Sequence, residues 1–169
     1  FIKGNCADPK DALVACKGQK LVMNLAARVG GIEYNRTHQA TMLRDNLEIA
    51  TTMIDAARQS AVERFLVVSS ACVYPHDAAV PTPESEGFRG EPEPTNGGYG
   101  WAKRMAEKLG MYYAQEYGMK VSIVRPYNCY GPRDHFDPQT SHVIPALIKR
   151  VFDGEDPVVA GIPARVTVL

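Results

Sequence analysis

Phe65-Leu66-Val67-Val68-Ser69-Ser70 is the stretch that decides the fold. Four consecutive apolar residues read as a buried strand, and the serine pair puts hydroxyls at its carboxyl end. Open α/β sheets place their ligands beyond the carboxyl ends of strands, so this is where a site is expected. Upstream, apolar residues at Leu43, Leu47, Ala50, Ile54 and Ala57 mark one face of a helix. Before it, Lys20-Leu21-Val22-Met23-Asn24-Leu25 reads as another buried strand, running through Ala26-Ala27 into a loop at Gly30-Gly31. Downstream, 74–98 is rich in Pro, Glu and Gly and reads as a long loop. A helix is predicted from Tyr99, with Ala102, Met105, Ala106, Leu109 and Tyr113 on one face and a stop at Gly118. Val121-Ser122-Ile123-Val124-Arg125 is a third strand, halted by Pro126. A helix should follow His142 and run to Val151, with Pro145 tolerable only in its first turn. Val158-Val159 begins another strand. This alternation predicts an α/β fold with a mostly parallel sheet.

Composition excludes several function classes. The chain has 169 residues, 45% of them hydrophobic, enough for a buried core. Lys plus Arg and Asp plus Glu number 19 each, so no net field draws it to nucleic acid or to an anionic membrane. Cys6, Cys16, Cys72 and Cys129 make no C-x-x-C pair, and no metal site is expected. They fit a reducing, cytoplasmic setting. No apolar run approaches the roughly 20 residues that cross a bilayer, and Phe1-Ile2-Lys3-Gly4 lacks a signal-peptide pattern.

The chemistry centres on Tyr99 and Lys103, which at a separation of four share one face of the predicted helix. A nearby ammonium favours phenolate, so the pair is expected to lower the tyrosine pKa and move a proton at a sugar hydroxyl or carbonyl. An isolated Y-x-x-x-K is more commonly a surface pair, but here a serine pair ends the preceding strand and its hydroxyl could bond the same substrate oxygen. Gly97, Gly98 and Gly100 follow a loop rather than a strand and are read as shaping the entry to the helix. Glu33, Asp45, Glu84, Glu86, Glu91 and Glu93 read as solvated surface charge.

Three ordered motifs carry a resemblance: Ser69-Ser70-Ala71-Cys72-Val73-Tyr74-Pro75, Glu93-Pro94-Thr95-Asn96-Gly97-Gly98-Tyr99 through Lys103, and Arg125-Pro126-Tyr127-Asn128-Cys129-Tyr130-Gly131-Pro132. With them the chain resembles the extended short-chain dehydrogenases/reductases that act on nucleotide sugars, most of all the fucose-synthase branch of epimerase/reductases. The resemblance implies a Rossmann-like doubly wound parallel sheet, with its first strands and most of its C-terminal substrate region outside the given residues. It implies Ser70, Tyr99 and Lys103 as catalytic residues and Cys72 and His142 as the epimerisation base and acid. Asn5, Leu25, Ala26 and Ala27 would join Tyr99 and Lys103 on the cofactor, NAD or NADP. Asn128 and Arg150 would meet the substrate, a nucleotide sugar with GDP favoured, and a homodimer is expected. Inverting carbon beside a 4-keto group needs acid/base groups on both ring faces, which a thiol and an imidazole supply near neutral pH. Taken singly, Cys72 could be a small buried residue and His142 a helix-start residue bonded to backbone.

The G-x-x-G-x-x-G turn of a dinucleotide-binding fold is not in the sequence. Phe1 to Asp8 instead resembles the family's third strand and the loop touching adenine. The division implied is 1–154 as a partial dinucleotide-binding domain and 155–169 as the unplaced start of a substrate-binding region. The alternatives are a nucleotide-sugar 4-epimerase or 4,6-dehydratase, in which Cys72 and His142 are incidental, and a non-catalytic NAD(P)-sensing or interaction module.

Overall fold

The computed structural model describes residues 1–137 and 141–155, and the backbone of 158–159 and 162–163. Three strands, β1 (Leu21–Asn24), β2 (Arg64–Val68) and β3 (Lys120–Val124), form a parallel sheet in the order β1-β2-β3. Val22 stands beside Phe65 and Phe65 beside Val121; one step on, Asn24, Val67 and Ile123 align. Because side chains alternate along a strand, these residues share one face of the sheet.

That face carries the core. Phe65 and Val67 cluster with Ala12 and Cys16 of α1 (Pro9–Cys16), with Met53, Ile54, Ala56 and Ala57 of α3 (Gln39–Gln59), and with Ala106 of α4 (Gly97–Tyr117). On the opposite face Leu21, Met23 and Val124 are exposed. The helix expected from Leu43 starts four residues earlier at Gln39, and its buried stripe runs through Met42, Asn46, Met53 and Ile54. Two short helices went unpredicted. Asp8 caps α1 by accepting from the Lys10 amide, with Pro9 at its first position, and α2 (Ile32–Thr37) follows the loop after β1.

The other expectations hold closely. The α4 helix ends at Gly118, whose φ of 69° lets its amide bond to the Ala114 carbonyl. The 74–98 segment is irregular except for short 3-10 turns at Glu84–Phe88 and Pro94–Asn96. His142 caps α5 (Val143–Phe152), which places Pro145 in the first turn. Strands β4 (Val158–Val159) and β5 (Ile162–Pro163) pair antiparallel. Residues 156–157, 160–161 and 164–169 of the expected 155–169 segment lie outside the described residues. Phe1 to Asp8, likened to the family's third strand and the loop touching adenine, contains no strand, and among the described residues none pairs with it.

Candidate active site

The site forms where β2 ends against the first turns of α4. Ser70 is extended and caps the 3-10 turn Ala71–Val73, its Oγ accepting from the Cys72 amide at 3.2 Å. Tyr99 stands in the first turn of α4 and Lys103 one turn later. The ammonium is 5.4 Å from the Tyr99 ring centroid and donates to the Val68 carbonyl at 2.8 Å. Glycines on both sides of Tyr99 make this approach possible. A Cβ on Gly98 would strike the Gln39 carbonyl, and one on Gly100 would lie 2.5 Å from the Cys72 carbonyl oxygen. The helix entry therefore presses backbone against backbone, as the glycine reading anticipated in outline.

Electrostatically the site departs from expectation. Burial pushes the Tyr99 phenol up to about 12, neighbouring Cys72 adds to this, and the Ser70 hydroxyl pulls the other way. Burial lowers the Lys103 ammonium, which Cys72 opposes. Desolvation disfavours both charged forms, so the Tyr99 phenol is raised, against the lowering expected from its lysine. Ser70, Cys72, Tyr99 and Lys103 thus form one interacting group.

Beneath them lies a polar core that sequence reasoning missed. Glu107, fully buried, accepts from Ser69 Oγ at 2.5 Å and from Arg125 Nε and Nη2 at 2.8 and 2.7 Å. Arg125 also donates to the Tyr74 hydroxyl and to the Glu84 carbonyl. Arg104, 1% exposed, donates to the carbonyls of Val73, Arg89 and Gly90. The rings of Trp101, Phe88 and Tyr74 interleave with Arg104 and Arg125 at centroid distances of 5.0 to 6.0 Å. This stack pins the irregular 74–91 segment against α4. The acidic run belongs to the same framework: Glu86 pairs with Arg89, Glu91 accepts from the Trp101 indole, and Glu93 accepts from the amides of Thr95 and Asn96. Glu33 pairs with Arg36, and Asp45 with Arg28 and Arg44.

On the β1 side, buried Asn46 of α3 ties down the loop after the strand, accepting from the Arg28 amide and donating to the Arg28 carbonyl. Asn24, Ala26, Asn46, Val68 and Lys103 border a narrow crevice with about 20 Å³ for a water-sized occupant. Ala26 and Ala27 are half-buried and Leu25 is exposed at the rim. The Asn5 side chain accepts from the Ala7 amide at the start of the chain. Asn128 is exposed and Arg150 half-buried on α5. His142 is exposed at the start of α5, and among the described residues no hydrogen bond, ion pair or ring contact joins it to Cys72 or Tyr99. Among the described residues, too, no cluster of three His, Cys, Asp or Glu side chains could hold a metal, and no helix is long and apolar enough to cross a membrane.

A parallel sheet with a Tyr/Lys pair on a helix behind a serine-ended strand defines a class, and residues 1–165 match the model of the NAD dependent epimerase/dehydratase family. The chain belongs to that family. It is 45% identical over 128 residues to the GDP-L-fucose synthase of Escherichia coli, covering 76% of this chain and 40% of that one. It is 38% identical over 146 residues to a probable GDP-L-fucose synthase of rice, covering 86% and 44%. In structure it resembles a GDP-L-fucose synthetase from Naegleria fowleri bound to NADP, with TM-score 0.80 and 29% identity, over 94% of this chain and 54% of that one. The chain thus spans about two-fifths of the length of these sequence relatives.

Proposed function

We propose that this chain carries the proton-handling half of an NAD(P)-dependent nucleotide-sugar epimerase/reductase working through a 4-keto sugar. The observation that supports this most is the joint burial of Tyr99 and Lys103 against Ser70 and Cys72. A buried ammonium with three donors, one of them given to the Val68 carbonyl, is suited to a further oxygen such as a ribose hydroxyl. A nicotinamide cofactor is proposed to lie across the mouth of the crevice at the strand ends, over Asn24, Leu25, Ala26, Ala27 and Lys103, with Asn5 at the adenine end. When bound, the nicotinamide supplies hydride exchange at the sugar. Tyr99 holds or releases the proton of the sugar oxygen, Ser70 orients that oxygen, and Lys103 biases the tyrosine by its charge.

Cys72, within electrostatic reach of both Tyr99 and Lys103, is the proposed base for inversion beside the keto group. His142 is the proposed acid, which requires it to reach the sugar face opposite Cys72. Asn128 and Arg150 are assigned to the substrate, whose nucleotide is proposed to be GDP in keeping with the names of the relatives. The proposed division is a dinucleotide-binding part at 1–154 and the start of a substrate region at 155–169. Pairing of two copies through α3 and α4, and a reducing cytoplasmic setting for the free cysteines, complete the reading.

The test is incubation with NADPH and a GDP-linked 4-keto hexose in deuterated water. Turnover that Tyr99→Phe abolishes, with label entering beside the carbonyl in a Cys72-dependent way, supports the proposal. Undiminished turnover in Tyr99→Phe refutes it, and label independent of Cys72 favours a 4-epimerase or dehydratase. Cofactor binding without sugar binding favours a sensing module.

A further inference from the structure

The stripe of α4 that carries Tyr99 and Lys103 continues to Glu107, four residues further on. Two of its side chains grip successive residues of the β2 end, Lys103 donating to the Val68 carbonyl and Glu107 accepting from Ser69 Oγ, and the next residue, Ser70, acts on the Tyr99 phenol. Stability alone does not call for a carboxylate at this place. Replacing a buried ion pair with apolar residues of similar volume is commonly neutral or stabilising. A hydrogen bond does what apolar packing does not, since it fixes the rotation of the group it holds.

Rotation matters at this point of the chain. Ser69 is 2% exposed and faces α4, while Ser70 is half-buried. Ser70 is extended and joined to Ser69 by one peptide unit, whose plane cannot be turned at one end alone, so turning Ser69 away from Glu107 displaces the Ser70 hydroxyl beside Tyr99. The backbone is gripped on its other side, where the Ser69 amide donates to the Val124 carbonyl at 2.8 Å and the Ala71 amide to the Pro126 carbonyl at 3.0 Å. Arg125 lies between those two acceptors in sequence and closes the frame by holding Glu107.

We infer that Ser69 is a positioning residue: its hydroxyl, held by the Glu107 and Arg125 pair, orients the end of β2 so that Ser70 stands beside Tyr99. This rests on the proposed role of Tyr99 and Ser70 and adds to it a residue that touches neither substrate nor cofactor. Ser69→Ala removes only the hydroxyl and leaves the ion pair intact, so the fold survives it.

The decisive experiment compares Ser69→Ala, Tyr99→Phe and the parent in the full-length polypeptide, with NADPH and a GDP-linked 4-keto hexose, alongside thermal melting. Misplacing a catalytic group by a fraction of an ångström is expected to lower kcat of Ser69→Ala about tenfold, with KM unchanged and melting close to the parent. A parental kcat in Ser69→Ala overturns the inference, whether or not the melting point falls. The two readings fail separately. Tyr99→Phe turning over at the parental rate sinks the proposed function, whereas an inactive Tyr99→Phe beside a fully active Ser69→Ala sinks only the positioning role.

Discussion

Breaking the Glu107 and Arg125 pair from its two ends should cost unequal amounts, because the charge left behind is differently placed. The side chain of Glu107 is 0% exposed and that of Arg125 14%. In Arg125→Met the carboxylate loses two guanidinium donors and retains Ser69 Oγ. That is an uncompensated buried charge, expected at the upper end of the range, about 4–5 kcal/mol. In Glu107→Gln the guanidinium keeps the Tyr74 hydroxyl, the Glu84 carbonyl and the faces of Tyr74 and Phe88. The new amide still offers an oxygen, so the cost falls to about 2–3 kcal/mol. Glu107→Met combined with Arg125→Met leaves no buried charge, only the neutral Ser69 and Tyr74 hydroxyls and the Glu84 carbonyl without their partners, about 1–3 kcal/mol in all. The double change should therefore cost less than Arg125→Met alone. Equilibrium unfolding in urea, followed through the fluorescence of the single tryptophan, Trp101, measures all three. A Glu107→Gln variant as damaged as Arg125→Met, or a double variant costing as much as Arg125→Met alone, would refute the reasoning.

Other consequences are open to direct measurement. Tyr99 has its phenol raised from 10.0 to about 12 in the folded protein, so the stability it contributes is complete below pH 10 and is lost as pH rises through about 12. Tyr99→Phe should flatten that part of the alkaline arm when urea midpoints are plotted against pH; an unaltered arm rejects the assignment. Lys103 is 9% exposed and its ammonium is lowered by burial, so stability it contributes at alkaline pH is lost as pH falls through its folded pKa. Lys103→Met is accordingly expected to melt no lower than the parent at neutral pH while losing cofactor binding by calorimetry, and a loss above about 1 kcal/mol would contradict this. Gly100→Ala forces a methyl to within 2.5 Å of the Cys72 carbonyl oxygen and should cost about 1–3 kcal/mol together with turnover. Parental behaviour there would mean that the helix entry has slack.

The sequence made visible what repeats or alternates. Phe65 to Val68 and Val121 to Val124 lie in strands because their apolar runs are short and bounded, and α4 stops at Gly118 because glycine takes a positive φ there without strain. Asn46 was illegible as a core residue, since its partners on Arg28 lie 18 positions away and are backbone atoms. Glu107 carried a weak signal, four residues beyond Lys103 on the same stripe, but nothing in the sequence tied it to Ser69 or Arg125. The raised Tyr99 phenol was missed for a related reason: a lysine at the right spacing is visible in a sequence, while desolvation depends on the fold. Asp8-Pro9 was a legible helix start that went unread.

The hold of Arg104 on the 74–91 segment has a bearing on how that segment can diversify. Its acceptors are the main-chain carbonyls of Val73, Arg89 and Gly90, which every amino acid supplies. Side chains between Pro75 and Phe88 can therefore be exchanged for others without unfastening the segment, provided that Gly87 stays small beside the Arg125 guanidinium. The outer face of this segment and the hold on its backbone are thus separately adjustable, the first by exchanging exposed side chains and the second only by altering Arg104 on α4.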